Sequence, residues 1–456
     1  MLCGFKFEHL MHTHITEGAG LHRIVIVGGG AGGLELATLL GKKLGKRKLA
    51  HITLIDKNRT HIWKPMLHEI ASGSMDYTLN EVDYLAQAHW HHFRFRIGAL
   101  TGIDRQQKLV YVDEYTDAEG KLVTPKRSLA YDSLVIAVGS RTNDFNTPGV
   151  ADYAVQMDTA EQAEYFHQRL VNACIRADAQ TEALTPYQLK VAIIGAGATG
   201  VELAAELNKS ITTLVKYGLY NIQAERDVTL TLIEAAPRIL PGLPERLSSE
   251  SARILSELNV TMRTNSRVAS VAEHSVHLTD GQVVPAELIV WAAGIRAPAV
   301  LKNLEGLEIN PLNQLVVKPT LQSTQDENIF AFGDCASADW LDHEPASKIP
   351  PRAQAAHQQA VHLAKQLKNR LEGKALEDFH YHDFGSLVSL GEHWAVGGLM
   401  GNIARGTLFI EGYFARVMYN MLYKKHQLSL HGFWKTMIET VAGFLRRTTT
   451  PRIKLH

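Results

Sequence analysis

Glycines at 28, 30 and 33 follow the apolar run Ile24 to Val27, and Asp56 closes a second apolar run, His51 to Ile55. The spacing recurs at Gly195, Gly197 and Gly200 after Lys190 to Ile194, with Glu234 closing Val228 to Ile233. A strand, a G-x-G-x-x-G turn, a helix and a second strand ending in an acid form a dinucleotide-binding fingerprint. The first glycine permits the tight turn, the second lets the backbone approach a pyrophosphate, and the third lets the helix close on the sheet. The helix N-terminus presents unpaired N–H groups and a positive dipole end to the phosphates. Asp56 and Glu234 stand where a carboxylate accepts hydrogen bonds from ribose hydroxyls. Two such sites in one chain suit two nucleotides that exchange a hydride, a tightly held flavin and an exchangeable nicotinamide.

Positioning these residues requires two α/β units. The runs VGGGAGGLELATLL and IGAGATGVELAAEL align residue by residue, so Glu35 and Glu202 hold equivalent places, each the second residue after the third glycine. Each unit closes on a buried strand that ends in glycine, SLVIAVGS at Gly139 and ELIVWAAGIRA at Gly294. A short strand, Ile329 to Phe332, then delivers Gly333 and Asp334, an acid suited to a ribityl or ribose hydroxyl. In PPRAQAAHQQAVHLAKQL, Pro351 fits a first helical turn, and Gln354 and Gln358 share one face. Trp63, Pro65 and His68 lie in a loop that enters a helix, at the carboxyl end of a strand where ligands lie in such sheets. The histidines of HWHHF, residues 89–93, point apart on a helix or strand, so no shared metal is expected. Residues 95–113 and 121–131 read as a small antiparallel excursion.

The chain has 456 residues, is 45% hydrophobic and 21% charged, and carries no net charge. That is a globular composition, and the balance argues against nucleic acid as a partner. The cysteines, Cys3, Cys174 and Cys335, have neither disulfide-framework nor zinc spacing, which points to a reducing compartment. Residues 1–22, with Glu8 and four histidines, do not read as a secretory signal. No apolar run approaches the roughly 18 residues of a membrane span.

The order GGGAGG with Asp56, HIWKPMLHE, GAGATGVELAAEL with Glu234, WAAGI, FGDCAS and PPRAQAAHQ resembles the type II NADH dehydrogenases, single-chain NADH:quinone oxidoreductases of respiratory membranes, in their bacterial form. The resemblance runs from about residue 22 to the C-terminus. It implies an α/β fold with two Rossmann-type domains of the two-dinucleotide-binding flavoprotein type, plus C-terminal amphipathic membrane-anchoring helices. The expected boundaries are a disordered leader at 1–21, an FAD-binding domain at 22–150 and 296–365, an NADH-binding domain at 151–295, a β-rich segment at 366–410 and a basic anchoring tail at 411–456. The resemblance implies non-covalent FAD on Gly28, Gly30, Gly33, Asp56, Gly139, Gly333 and Asp334, and NADH on Gly195, Gly197, Gly200 and Glu234, with Gly294 closing that unit. It places Glu202 near the nicotinamide–flavin contact and Gln354 and Gln358 on the quinone approach. It further implies that a hydride passes from NADH to the flavin and that two electrons then reach a membrane quinone without proton pumping. A dithiol reductase of the same layout would need paired cysteines after the first glycine turn, and residues 34–50 contain none. A soluble NADH-dependent flavoprotein reductase, with ferredoxin, oxygen or another acceptor, is the alternative.

The tail favours the membrane reading. From residue 415 onward, Arg416, Lys424, Lys425, Lys435, Arg446, Arg447, Arg452 and Lys454 face one acid, Glu439. At helical spacing, Phe433, Trp434, Met437, Ile438, Val441, Phe444 and Leu445 form one arc of roughly 140°, with Lys435, Glu439, Arg446 and Arg447 opposite. Such a helix lies in a membrane interface and is drawn to anionic lipid. The preceding segment, with Phe414, Val417, Met418, Met421 and Leu422, is less clean, and its helix is expected to end near Lys425. The expected location is peripheral, on the cytoplasmic face of the inner membrane, and a homodimer is compatible with the sequence.

Overall fold

A computed structural model describes residues 13–15, 20–391, 395–400, 407–446 and 453–454. The rest of the leader, Arg447 and Arg452 of the tail, and the side chains of Phe414 and Arg416 lie outside the described residues. The chain forms two compact units. The first takes the described parts of Met1–His61 with Val82–Ser140 and Ala297–Tyr381; the second takes Ile62–Glu81, Arg141–Arg296 and the described parts of His382–His456.

The first unit is built on a parallel sheet in the order Ile329–Ala331, Ser133–Ile136, His22–Val27, Ala50–Asp56, Arg94–Ile97. Ile24 to Val27 are buried without interruption, as a parallel strand covered on both faces must be. Helices Ala31–Leu40 and Ala353–Leu371 pack against each other in this unit. The second helix begins one residue after its N-cap, Arg352, so Pro351 stands outside the helix rather than in its first turn. It also runs beyond residue 365, where a β-rich segment was expected. A second sheet pairs Leu100–Asp104, Leu109–Val112 and Arg127–Ala130 antiparallel. Thr13–Ile15, inside the segment expected to be a disordered leader, is instead a strand that adds to its edge in parallel, satisfying backbone groups that an edge strand leaves open.

The second unit repeats the plan, with Val155–Gln156, Leu288–Trp291, Lys190–Ile194, Thr229–Ile233 and Val260–Arg263 all parallel. Helix Ala160–Ala179 starts in a capping box formed by Thr159 and Gln162. Residues 62–81 belong here because Leu67, Ile70 and Ala71 are buried in this unit's core. The antiparallel strands Ser386–Ser389, Ala395–Met400 and Thr407–Glu411 follow, then helices Gly412–His431 and Phe433–Arg446. The first of these passes Lys425, where an end was expected, because the Lys425 ammonium lies 5.7 Å over the Phe384 ring, a favourable place for a cation. Trp63 stacks on Tyr423 and His426 of the same helix. Ile453 is buried with Val171 and Leu214. Beside it the Lys454 N–H donates to the Gly73 carbonyl at 2.9 Å, and the Lys454 carbonyl accepts from His167 Nε2 at 2.7 Å.

In the first sheet Asp132 ties the starts of two neighbouring strands. Its carboxylate accepts from the Arg23 N–H at 2.7 Å, Nε at 3.0 Å and Nη2 at 2.8 Å. The guanidinium hydrogen bonds hold the Asp132 pKa down at about 2. A depressed folded pKa contributes stability above the ordinary carboxylate range, about 4. That contribution fades as pH falls toward about 2. Asp132→Asn should therefore be less stable than the parent at neutral pH, with a deficit that narrows on acidification, as read by urea unfolding at a series of pH values.

Candidate active site: two acid-closed glycine turns

The first turn is fixed by contacts a side chain would break. Gly28 has φ +103°, and a Cβ there would overlap the Ala137 carbonyl. Its N–H donates to the Ile55 carbonyl at 2.8 Å. A Cβ on Gly33 would overlap the Gly28 carbonyl oxygen. Gly30 differs: its backbone is extended, and a Cβ would meet no protein atom within 4 Å. Among the described residues nothing crowds this position, which leaves room for a group to approach the backbone from outside. Asp56 closes the turn by accepting from the Gly29 N–H at 2.6 Å and the Asn58 N–H at 2.8 Å. Burial raises its pKa, while the Asn58 and Gly29 N–H groups pull the other way.

The second turn reproduces this. Gly195 has φ +100° and donates to the Ile233 carbonyl at 2.8 Å. A Cβ on Gly200 would overlap the Gly195 carbonyl, and Gly197 faces open space. Glu234 accepts from the Ala196 and Ala236 N–H groups, each at 2.8 Å. Ala196 takes the place of Gly29, and Ala236 that of Asn58. Arg238, a candidate partner for a ribose phosphate, is instead held on backbone carbonyls, those of Leu240 at 3.2 Å, Pro241 at 2.9 Å and Leu243 at 2.8 Å.

The remaining residues divide between the units. Gly139, at φ +67°, and Gly333, at φ +71°, lie in the first unit; Gly294, at φ +66°, lies in the second against Phe145. Asp334 accepts from the Ser140 hydroxyl at 2.8 Å. Gln354 and Gln358 are half-buried on helix Ala353–Leu371. The glutamine that holds the Gly333 turn is their buried neighbour Gln359, whose Oε1 accepts the Gly333 N–H at 2.8 Å. Sequence reasoning passed over it. It also passed over Tyr84 and His61, which donate to the Gly29 carbonyl at 2.8 and 3.0 Å and brace the first turn. Only the placement of Gln359 next to the glutamine pair could have drawn attention to it; Tyr84 and His61 carry no local signal. Glu202 is buried in the second unit, where Oε1 accepts from the Ser389 N–H at 3.1 Å and Oε2 lies 3.5 Å from His68 Nδ1. Its equivalent Glu35 is buried in the first unit, 2.8 Å from His357 Nδ1. Cys335 is buried, and burial pushes its thiol up to about 12. Among the described residues no three His, Cys, Asp or Glu side chains gather as a metal site.

Two parallel sheets, each with an acid-closed turn whose second glycine faces open space, define a two-dinucleotide-binding flavoprotein. The residues present fit FAD in the first unit and NADH in the second. Comparison with known proteins agrees. The family described as pyridine nucleotide-disulphide oxidoreductase matches residues 22–360. A type II NADH:quinone oxidoreductase of Haemophilus influenzae is 42% identical over 448 residues, 96% of this chain and 100% of that protein. One from Staphylococcus aureus is 30% identical over 84% of this chain and 91% of its own. Among solved structures, NDH2 from Plasmodium falciparum in complex with NADH has the same fold, with a TM-score of 0.78 at 21% identity over 95% of this chain and 100% of that one. The sulfide:quinone oxidoreductase of Aquifex aeolicus shares it at a TM-score of 0.70 and 19% identity, over 90% of this chain and 92% of that one. The chain belongs to the pyridine nucleotide-disulphide oxidoreductases and, among them, to the type II NADH:quinone oxidoreductases.

The glycines separate into two kinds, and substitution should show it. Gly33→Ala and Gly200→Ala should fail to give folded protein. Gly30→Ala should fold with an unchanged melting temperature in the flavin-free form, yet retain much less FAD through gel filtration, as read by absorbance.

Proposed function

We propose that this chain oxidises NADH and reduces a membrane quinone without pumping protons. The observation that carries the reading is the duplicated acid-closed turn with open space at Gly30 and at Gly197. FAD held there would supply two-electron redox chemistry between NADH and a quinone. The chain positions the reactants. Asp56 and Glu234 receive ribose hydroxyls, and the amide-rich turns and helix N-termini receive the pyrophosphates. Gly139, Gly333 and Asp334 line the flavin's site, and Gly294 closes the nicotinamide unit. Glu202 acts beside the nicotinamide, and Gln354 and Gln358 line the quinone approach.

Glu234 repels a 2′-phosphate, and Arg238 is held on carbonyls, so nothing at this turn attracts one. NADH should be preferred to NADPH by more than about tenfold in kcat/KM. Equal values would overturn the assignment of Glu234. Gln354→Ala should slow flavin reoxidation by a short ubiquinone and leave flavin reduction by NADH intact, each timed by stopped-flow absorbance.

Helix Phe433–Arg446 supports a peripheral seat on an anionic lipid surface, at the cytoplasmic face of the inner membrane. Its seven apolar residues are all exposed, Trp434 and Phe444 by 71% each. Among the described residues no helix is long and apolar enough to cross a membrane. Helix Gly412–His431 belongs to the body of the unit, since Ala415, Tyr419 and Leu430 are buried. Truncation after Gly412 would therefore damage the fold, and point changes on the exposed face make the cleaner test. Trp434→Glu with Phe444→Glu forfeits roughly 1.5–3 kcal/mol of apolar burial per side chain. It should lower binding to vesicles containing phosphatidylglycerol by more than about a hundredfold while NADH–menadione activity persists. Retained vesicle binding together with a smaller oligomer would assign this face to a homodimer instead.

A further inference from the structure

Glu202 sits at the second residue after Gly200, near the start of helix Ala198–Lys216. An acid there gains from the helix dipole, but this one is buried. A carboxylate taken out of water stays ionised only where donors or positive charge meet its oxygens. Two elements remote in sequence approach its oxygens. The Ser389 N–H, at the end of strand Ser386–Ser389, holds Oε1 at 3.1 Å. His68, on the short helix Leu67–Ala71, brings Nδ1 to 3.5 Å from Oε2. That distance is longer than a well-formed hydrogen bond. His68 is 1% exposed in its side chain, so it meets neither solvent nor ligand directly.

The first unit carries the same device. Glu35, the equivalent acid, meets Nδ1 of His357 from helix Ala353–Leu371. In both copies the acid takes an imidazole from an element outside its own strand–turn–helix unit. The pairing therefore goes with the position of the acid, not with local sequence.

We infer that His68 is the positioning residue for Glu202. It fixes the direction of the carboxylate against the Ser389 N–H, and it acts on the nicotinamide only through Glu202. The inference rests on the reading of Glu202 given above and adds a residue to it. Without His68 the carboxylate loses its neighbour at Oε2 and turns more freely about its side-chain bonds. An enzyme lacking the imidazole should then resemble one lacking the Glu202 carboxylate.

The test uses the full-length flavoprotein and four variants: Glu202→Gln, His68→Leu, His68→Asn and the double variant Glu202→Gln with His68→Leu. Leu approximates the volume of the imidazole without a donor, and Asn restores an amide N–H near the place of Nδ1. Flavin content and thermal unfolding establish that each variant folds; should His68→Leu fold poorly, His68→Met replaces it. Two quantities are measured: equilibrium NAD+ affinity, by quenching of intrinsic tryptophan fluorescence, and the rate of flavin reduction by NADH. Whichever quantity Glu202→Gln alters, His68→Leu should alter the same one, by about tenfold for the loss of a donor to a charged group. The double variant should be no worse than Glu202→Gln alone, and His68→Asn should recover most of the loss. Additive losses, or no recovery by Asn, would overturn the role of His68 and leave that of Glu202 standing. No change in either quantity for Glu202→Gln would overturn both.

Discussion

The oxygen of Gly28 lies where a Cβ of Gly33 would have to be, and the oxygen of Gly195 excludes one from Gly200 in the same way. This approach of one backbone to another is the constraint on which each unit depends. It lets the helix begin directly at the end of its strand, so that Leu34 N–H reaches the Gly30 carbonyl at 3.0 Å and Val201 N–H the Gly197 carbonyl at 3.1 Å. The free N–H groups of the first turn then point out of the carboxyl edge of the sheet, where a phosphate is best placed. The acid on the next strand completes the arrangement from the other side, holding the N–H of the residue between the first two glycines. Strand, helix and acid thus fix one another, and the second glycine alone is left facing outward.

Given one such unit, the second is the same solution reached by a diverged sequence, and the differences between them carry the division of labour. The first turn is braced from behind by Tyr84 and His61 on the Gly29 carbonyl. The second has alanine at that place and a longer acid, Glu234, with Arg238 folded back on the loop that follows.

Much of this was legible in the sequence because it is local. Buried parallel strands read as unbroken apolar runs, and the glycine spacing with its terminal acid identifies both turns within a few dozen residues. What escaped depends on partners far along the chain. Nothing near Lys425 says that Phe384 will lie beneath its ammonium and carry the helix past it. Nothing near residue 67 says that Leu67 and Ile70 belong to the core of the later unit. Gln359 was passed over because its neighbours carried the resemblance, although it is the residue that holds Gly333. The arc of helix Phe433–Arg446 was read correctly from periodicity, but its exposure is a property of the packed chain and needed the structure.

The seating of Ile453 between Val171 and Leu214 changes what that helix can transmit. Helix Phe433–Arg446 stays with the second unit, where Thr436 is buried, and the chain is attached to that unit again at Ile453 and Lys454. A helix on a free end behaves as a tether, which passes on a pull and nothing else. A helix secured at both ends behaves as an outrigger, which also passes on tilt and roll. A surface that took up the aromatic face of this helix would therefore set the attitude of the second unit as well as its distance.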